Sequence, residues 1–207
     1  QSRKRLLLTA NQIGKTRAGA AEAWWHSTGR HPFRDVRPAP VEGWILASDL
    51  KNGWPKLSQK LREIQPAGVL AEGCTYDDAR GYYYRGSLII GKGSDQAVTA
   101  LSSGTIDWIW YDEPPKRSHW GELLKRGAVR AAPIWGTLTP VGRPCEWLRD
   151  IVEGDPTQGT GPQDPGWTVF KAILSHENAP HLSPERVTEM ITETPSWERG
   201  QRINARS

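Results

Sequence analysis

The chain has 207 residues with Lys and Arg exceeding Asp and Glu by 27 to 23, enough length for one α/β domain or one domain with a small appendage. Its two cysteines, Cys74 and Cys145, lack metal-type spacing and fit a reduced cytosolic protein. No apolar run reaches membrane-spanning length and no signal peptide is expected, while the mild positive excess permits contact with nucleic acid without requiring it.

The chain opens abruptly on "QSRKRLLL", so an upstream segment is expected to have been removed. The apolar run Leu6–Leu8 predicts a short strand. "NQIGKT" follows, and then the Ala- and Glu-rich stretch Arg17–Trp25, which predicts a helix. A Pro-rich connection, His31–Gly43, carries Arg34 and Arg37. "GWILAS", Gly43–Ser48, reads as a buried strand. Leu57, Leu61 and Ile64 then recur at helical spacing within "WPKLSQKLREIQP". "GYYYRGSLIIGKG" predicts a hairpin turning at Arg85-Gly86, and "IDWIWYD", Ile106–Asp112, a strongly apolar strand. "SHWGELLKRGAV" predicts a helix capped by Ser118, and Ala132–Pro140 another strand ending in a turn. The breaker-rich stretch 153–166 reads as a flexible loop or hinge. "WTVFKAIL" is the last strand, and "LSPERVTEMITE" a helix with Ser183 as cap, Pro184 in its first turn, and Val187, Met190 and Ile191 on one face. The eleven tryptophans are expected to supply much of the core. Alternating strands and helices without internal repeats predict a mostly parallel sheet with helices on both faces. The domain reading is a core over 1–152, the hinge, and a C-terminal subdomain over 167–207 that includes the last core strand.

"LLLTANQIGKT" ends like a phosphate-binding loop, but Thr9 stands where the first glycine of G-x-x-x-x-G-K-[ST] belongs. The order strand, loop, helix is the context that loop needs. It aims backbone N–H groups and the positive end of a helix at one spot. Asn11, Gln12, Ile13, Gly14, Lys15 and Thr16 are thus the candidate nucleotide-binding residues, with Lys15 on the β- and γ-phosphates and the Thr16 hydroxyl on Mg²⁺. The partner acid is found in "WIWYDE". Asp112 is the second candidate for holding the metal, and Glu113 the candidate general base. Adjacent strand residues point opposite ways, so both serve only if the strand ends there, as Pro114-Pro115 dictates. In "GTLTP", Thr137 and Thr139 are candidates to sense the γ-phosphate. His176 and His181 lack further ligands at suitable spacing and read as surface or turn residues.

Together "NQIGKT", "GKTRAGAAEAWW", "IDWIWYDEPP", "GTLTP" and "HENAPHLSPERVTEMI" resemble the ATPase domain of the large terminase subunit, the DNA-packaging motor of tailed bacteriophages. The likeness spans nearly the whole chain, and that family's phosphate loop often lacks the first glycine. It implies a P-loop NTPase fold of the ASCE type with a small C-terminal appendage. It also implies ATP hydrolysis with Mg²⁺, translocation of double-stranded DNA into a procapsid, and a homo-oligomeric ring, commonly a pentamer, docked on the portal protein. The small terminase subunit is a further implied partner, and the implied location is the host cytoplasm with no membrane attachment. The family's nuclease domain is expected to lie beyond Ser207, so no nuclease activity is expected of this chain.

Two departures stand out. Many relatives carry an arginine in the phosphate loop where this chain has Asn11, and some carry a trans-acting arginine at the place held here by Ser102. Arg117, Arg130 and Arg143 are the remaining candidates for the arginine that neutralises transition-state charge, with Arg143 preferred because it follows the coupling motif. The loop bearing Arg30, Arg34 and Arg37 is a candidate for phosphate contact or simply a solvated basic loop. Competing functions are another RecA-like translocase or helicase-type ATPase, and a nucleotide-binding module that does not hydrolyse.

Overall fold

The computed structural model describes residues 3–69, 72–77, 81–139, 147–148, 150, 167–172, 174–175 and 177–204. Hinge 153–166, Arg143, Cys145 and His176 lie outside the described residues. The chain forms two compact units, residues 16–135 and residues 1–15 with 136–207. The fold is α/β with mostly parallel strands flanked by helices.

In the unit of residues 16–135, helix α1 (Lys15–Thr28) buries Gly19, Ala20, Ala23 and Ser27 together with Trp24, Glu22 and His26. It stops in a two-bond C-terminal turn. Gly29 takes a left-handed φ of 66° and donates to His26 O, and Arg30 N donates to Trp25 O. Strand β2 (Glu42–Ala47) is buried along nearly its whole length, as a strand with parallel neighbours on both sides must be. Those neighbours are β5 (Ser87–Gly93) and β6 (Trp108–Asp112). Beyond β5 the order continues antiparallel through β4 (Gly81–Tyr84) to β3 (Thr75–Asp77). The β4–β5 turn is Arg85-Gly86, both with positive φ, the two-residue hairpin geometry that matches strand twist. Helix α2 (Gly53–Glu63) buries Trp54, Leu57 and Leu61, and α3 (Arg117–Ala128) buries Trp120 and Leu123.

The tryptophan content is explained by what the rings lie against. Seven of them, Trp24, Trp44, Trp54, Trp108, Trp110, Trp120 and Trp135, are buried. Three of these rings occupy the space above a glycine. A Cβ on Gly43 would lie 1.7 Å from Trp108 Cε2, one on Gly19 2.4 Å from Trp110 Cε2, and one on Gly91 2.4 Å from Trp54 Cδ2. Gly43 and Trp108 are cross-strand partners. The close-packed interior therefore seats large rings by deleting the facing side chain.

In the other unit, β1 (Lys4–Thr9) pairs in parallel with β8 (Trp167–Ala172), from Lys4↔Trp167 to Thr9↔Ala172. On its other side lies the end of β7 (Ile134–Leu138), the strand within which the chain passes from one unit to the other. Among its described residues are also helices α4 (Pro184–Glu193) and α5 (Ser196–Arg202). Ser183 caps α4, its Oγ accepting from Arg186 N at 3.2 Å. A small core gathers Ala10, Leu174, Ala179, Val187 and Ile203.

The structure differs from the sequence expectation in three local places. Helix α1 starts at Lys15, two residues early. Helix α3 starts at Arg117, so Ser118 sits inside its first turn; the position before the helix is Lys116, which makes no side-chain cap. Its carbonyl accepts from His119 N and Trp120 N instead. The third is the C-terminal helix α5, which the sequence pattern did not announce.

Candidate functional site

The loop after β1 is anchored by its backbone. Ala10 N donates to Ala172 O at 3.0 Å and Asn11 N to Arg202 O at 3.1 Å. Gln12 and Gly14 take φ of 60° and 91°, so the chain doubles back within a few residues. Nothing lies within 4 Å of the place a Gly14 Cβ would take, so glycine is needed there for conformation rather than space. Thr9, in the place of the missing glycine, is still in β1, buried, with its hydroxyl donating to Ala10 O. The His181 ring meets Gln12 O through Nε2 at 2.9 Å. Ile13 packs on the small core.

Lys15 opens α1, and its ammonium donates to Thr139 Oγ1 at 2.9 Å. That hydroxyl in turn donates to Asn11 Oδ1 at 3.0 Å. Thr139 follows β7 directly and is 5% exposed; Thr137, within the strand, is 2% exposed. The structure thus joins Asn11, Lys15 and Thr139, residues 124 and 128 positions apart in sequence.

The next residue, Thr16, belongs to the larger unit. Its Oγ1 donates to Asp112 Oδ1 at 3.3 Å, across 96 positions of sequence. Asp112 is the last residue of β6. Glu113 takes a left-handed φ of 70°. That is costly for a residue with a Cβ and unusual before a proline, which favours extended backbone. Thr16, Asp112 and Glu113 line an open cavity of about 280 Å³. Its other walls are Ala47, Ser48, Asp49, Asn52, Gly53, Lys56 and Leu57, from the end of β2 and the start of α2. Asp49 accepts from Asn52 N at 2.5 Å and from Gly53 N at 3.4 Å, and its other oxygen accepts from Ser48 Oγ at 3.1 Å. The Asn52 N–H, foremost, holds the Asp49 carboxyl below its ordinary range and keeps it ionised. A hydroxyl, two acids at a strand end and open space make a donor set that suits a hard cation and the phosphates it accompanies.

Of the arginines, Arg117 is exposed at the start of α3. Arg130 Nη1 donates to both oxygens of Asp107, at 2.8 and 2.7 Å, and Arg37 Nε lies 3.1 Å from the same carboxylate. Arg30 pairs with Glu72. Two of the three arginines of the basic loop therefore hold partners within the chain.

The sequence did not announce Ser48, Asp49, Asn52 and Lys56, because nothing in their local pattern marks them as neighbours of Glu113. It also passed over Glu22, His26 and His31, whose ligating atoms all lie within 4.8 Å of one another. Hydrogen bonding argues against a metal there. His31 Nδ1 accepts from Phe33 N at 3.1 Å, so its Nε2 carries the proton and donates to Glu22 Oε1 at 3.2 Å. In that tautomer the ring has no lone pair directed at the cluster.

No protein-family model and no curated protein matches the sequence. Solved structures do. The Thermus phage P74-26 large terminase ATPase domain matches with a TM-score of 0.71 and 20% identity, over 100% of this chain and 89% of that one. A mutant of the same domain gives 0.68. The HK97 bacteriophage large terminase matches with a TM-score of 0.67 and 14% identity, over 99% of this chain but only 46% of its own. The fold of this chain is that of phage large terminase ATPase domains.

Proposed function

We propose that this chain hydrolyses ATP and that hydrolysis drives double-stranded DNA into a viral procapsid. The observation that carries the reading is the 3.3 Å bond between Thr16 and Asp112. A loop hydroxyl and a strand-end carboxylate meet where the metal of a nucleotide site would be held. The terminase-like fold supplies the packaging context. In this reading Asn11–Thr16 wrap the phosphates, and Lys15 leaves Thr139 to neutralise the β- and γ-phosphates. Thr16 and Asp112 would hold Mg²⁺, which supplies charge neutralisation on the transferring phosphoryl group. Glu113 orients the attacking water and accepts its proton. Thr137 and Thr139 report the state of the γ-phosphate to β7. The chain works as one subunit of a homo-oligomeric ring, a pentamer, on the portal protein, with the small terminase subunit presenting DNA, in the host cytoplasm. Residues 1–152 form the ATPase core and 167–207 a C-terminal subdomain.

The test is phosphate release by the purified chain with Mg²⁺ and ATP. Lys15→Ala should abolish turnover, and Asp112→Asn should raise the Mg²⁺ concentration needed for half-maximal rate at least tenfold, on the order of the loss of one charged ligand. Turnover in Lys15→Ala equal to wild type would sink the assignment.

A further inference from the structure

Thr139 touches two residues of the phosphate loop at once, and its chemistry allows only one arrangement of the bonds. A hydroxyl has one proton and two lone pairs. An ammonium only donates, so Lys15, at 2.9 Å, takes a lone pair of Thr139 Oγ1. The proton goes to Asn11 Oδ1, at 3.0 Å. The hydroxyl is therefore polarised in a fixed direction, with its proton turned to Asn11 and a lone pair turned to the lysine. Asn11 is well placed to hold it so, because its own backbone N–H is tied to Arg202 O at 3.1 Å.

A phosphate carried by Lys15 is an acceptor. Facing it with a lone pair is repulsive, and facing it with the proton is attractive. Thr139 has only one proton, so it bonds the phosphate or Asn11, never both. We propose that Asn11 is a positioning residue that competes with the γ-phosphate of bound ATP for the single proton of Thr139. The proposal rests on the reading of this loop as an ATP site. ADP, without the γ-phosphate, leaves the Asn11–Thr139 bond intact. ATP must break it, and loss of phosphate lets it re-form. The two states of Thr139 then differ by which partner holds its proton, and Asn11 sets the balance between them. An arginine at position 11 has no acceptor and would not do this.

The sign of the effect is the test, because deleting a polar group from a binding loop usually weakens binding. Equilibrium binding of ADP and of a non-hydrolysable β,γ-imido analogue of ATP is measured on the full chain. The set is wild type, Asn11→Ala, Asn11→Ser, Thr139→Val and the Asn11→Ala/Thr139→Val pair. Asn11→Ala and Asn11→Ser should tighten the analogue relative to ADP about three- to tenfold, the worth of one neutral hydrogen bond. In the Thr139→Val background the Asn11 effect should vanish, since the two residues act through one bond. Equal shifts of ADP and analogue, or loss of ADP binding in both Asn11 variants, would show that Asn11 merely shapes the loop and would overturn the proposal. So would an Asn11 effect that survives Thr139→Val. Wild-type protein that binds neither nucleotide overturns the ATP-site reading and this proposal with it. Wild-type binding with no differential Asn11 effect overturns this proposal alone.

Discussion

Glu113 holds a left-handed φ of 70° at the point where its carboxylate is proposed to accept a proton. Stability and activity should therefore respond to substitution there with opposite signs. A residue with a Cβ pays about 1–2 kcal/mol for the left-handed region. At an ordinary position glycine is less stable than alanine by about 0.5–1 kcal/mol, because it has more unfolded freedom to lose. Glu113→Ala and Glu113→Gly delete the same side-chain contacts and differ only in backbone terms. The difference between these opposing terms should leave the glycine variant ahead by about 0.5–1 kcal/mol. Glu113→Gln keeps the backbone cost and loses only the base. All three should lower ATP turnover by about 10²–10⁴-fold, the usual worth of a general base. Denaturant midpoints and phosphate-release rates on the four proteins give both quantities. If Glu113→Ala is as stable as Glu113→Gly, the left-handed backbone stores no strain. If Glu113→Gln turns over at the wild-type rate, Glu113 is not the base.

Gly43→Ala should destabilise by about 3 kcal/mol, because its Cβ would lie 1.7 Å from Trp108 Cε2, whereas Gly121→Ala, with open space at that point on α3, should stabilise by about 0.5–1 kcal/mol; chemical denaturation measures both. Burial pushes the Tyr82 hydroxyl up to about 12 from an ordinary 10. The folded state thus prefers the protonated form, and its contribution to stability is complete below pH 10 and lost as pH rises towards 12. Tyr82→Phe should flatten that alkaline loss at a cost of about 1 kcal/mol near neutrality, from the bond to Ser58 O, and pH-dependent melting checks it. Arg117 or Arg143 is expected to act on a neighbouring subunit's site and to be worth about a thousand-fold in rate. Mixing an Arg117→Ala or Arg143→Ala subunit with a Lys15→Ala subunit should restore part of the turnover, and high turnover in dilute monomer that ignores both arginines would refute it. Arg130, held by Asp107, should behave as a structural residue in the same assay.

What was legible in the sequence were features whose cause is local. The Arg85-Gly86 turn, the Ser183 cap and the apolar strand ending at Asp112 each carry their physics within a few residues. Helix α5 was not legible, because "SWERGQR" is short, contains Gly200 and has no apolar stripe; its Arg202–Glu198 pair appears only once it is helical. Strand β3 is three residues long and exposed at both ends, so its pairing with β4 rather than its composition makes it a strand. The cavity wall was hidden for a different reason. Asp49 turns the chain into α2 through Asn52 N and Gly53 N, and its place in the same cavity as Asp112 and Glu113 is a product of β2 lying beside β6.

The acidic pair shows how far a sequence argument reaches before geometry takes over. In an extended strand Asp112 and Glu113 would face opposite sides, so one of them would be lost to the site. Pro114-Pro115 signals that the strand must stop, but it does not say which way Glu113 then turns. The backbone supplies that answer with its left-handed φ immediately after Asp112, the residue bonded to Thr16. Both acids consequently line one cavity. A strained backbone that brings two acids to the same space has a chemical use if both act on one bound group. That is the ground on which we propose a hydrolytic step here rather than a nucleotide-binding element alone.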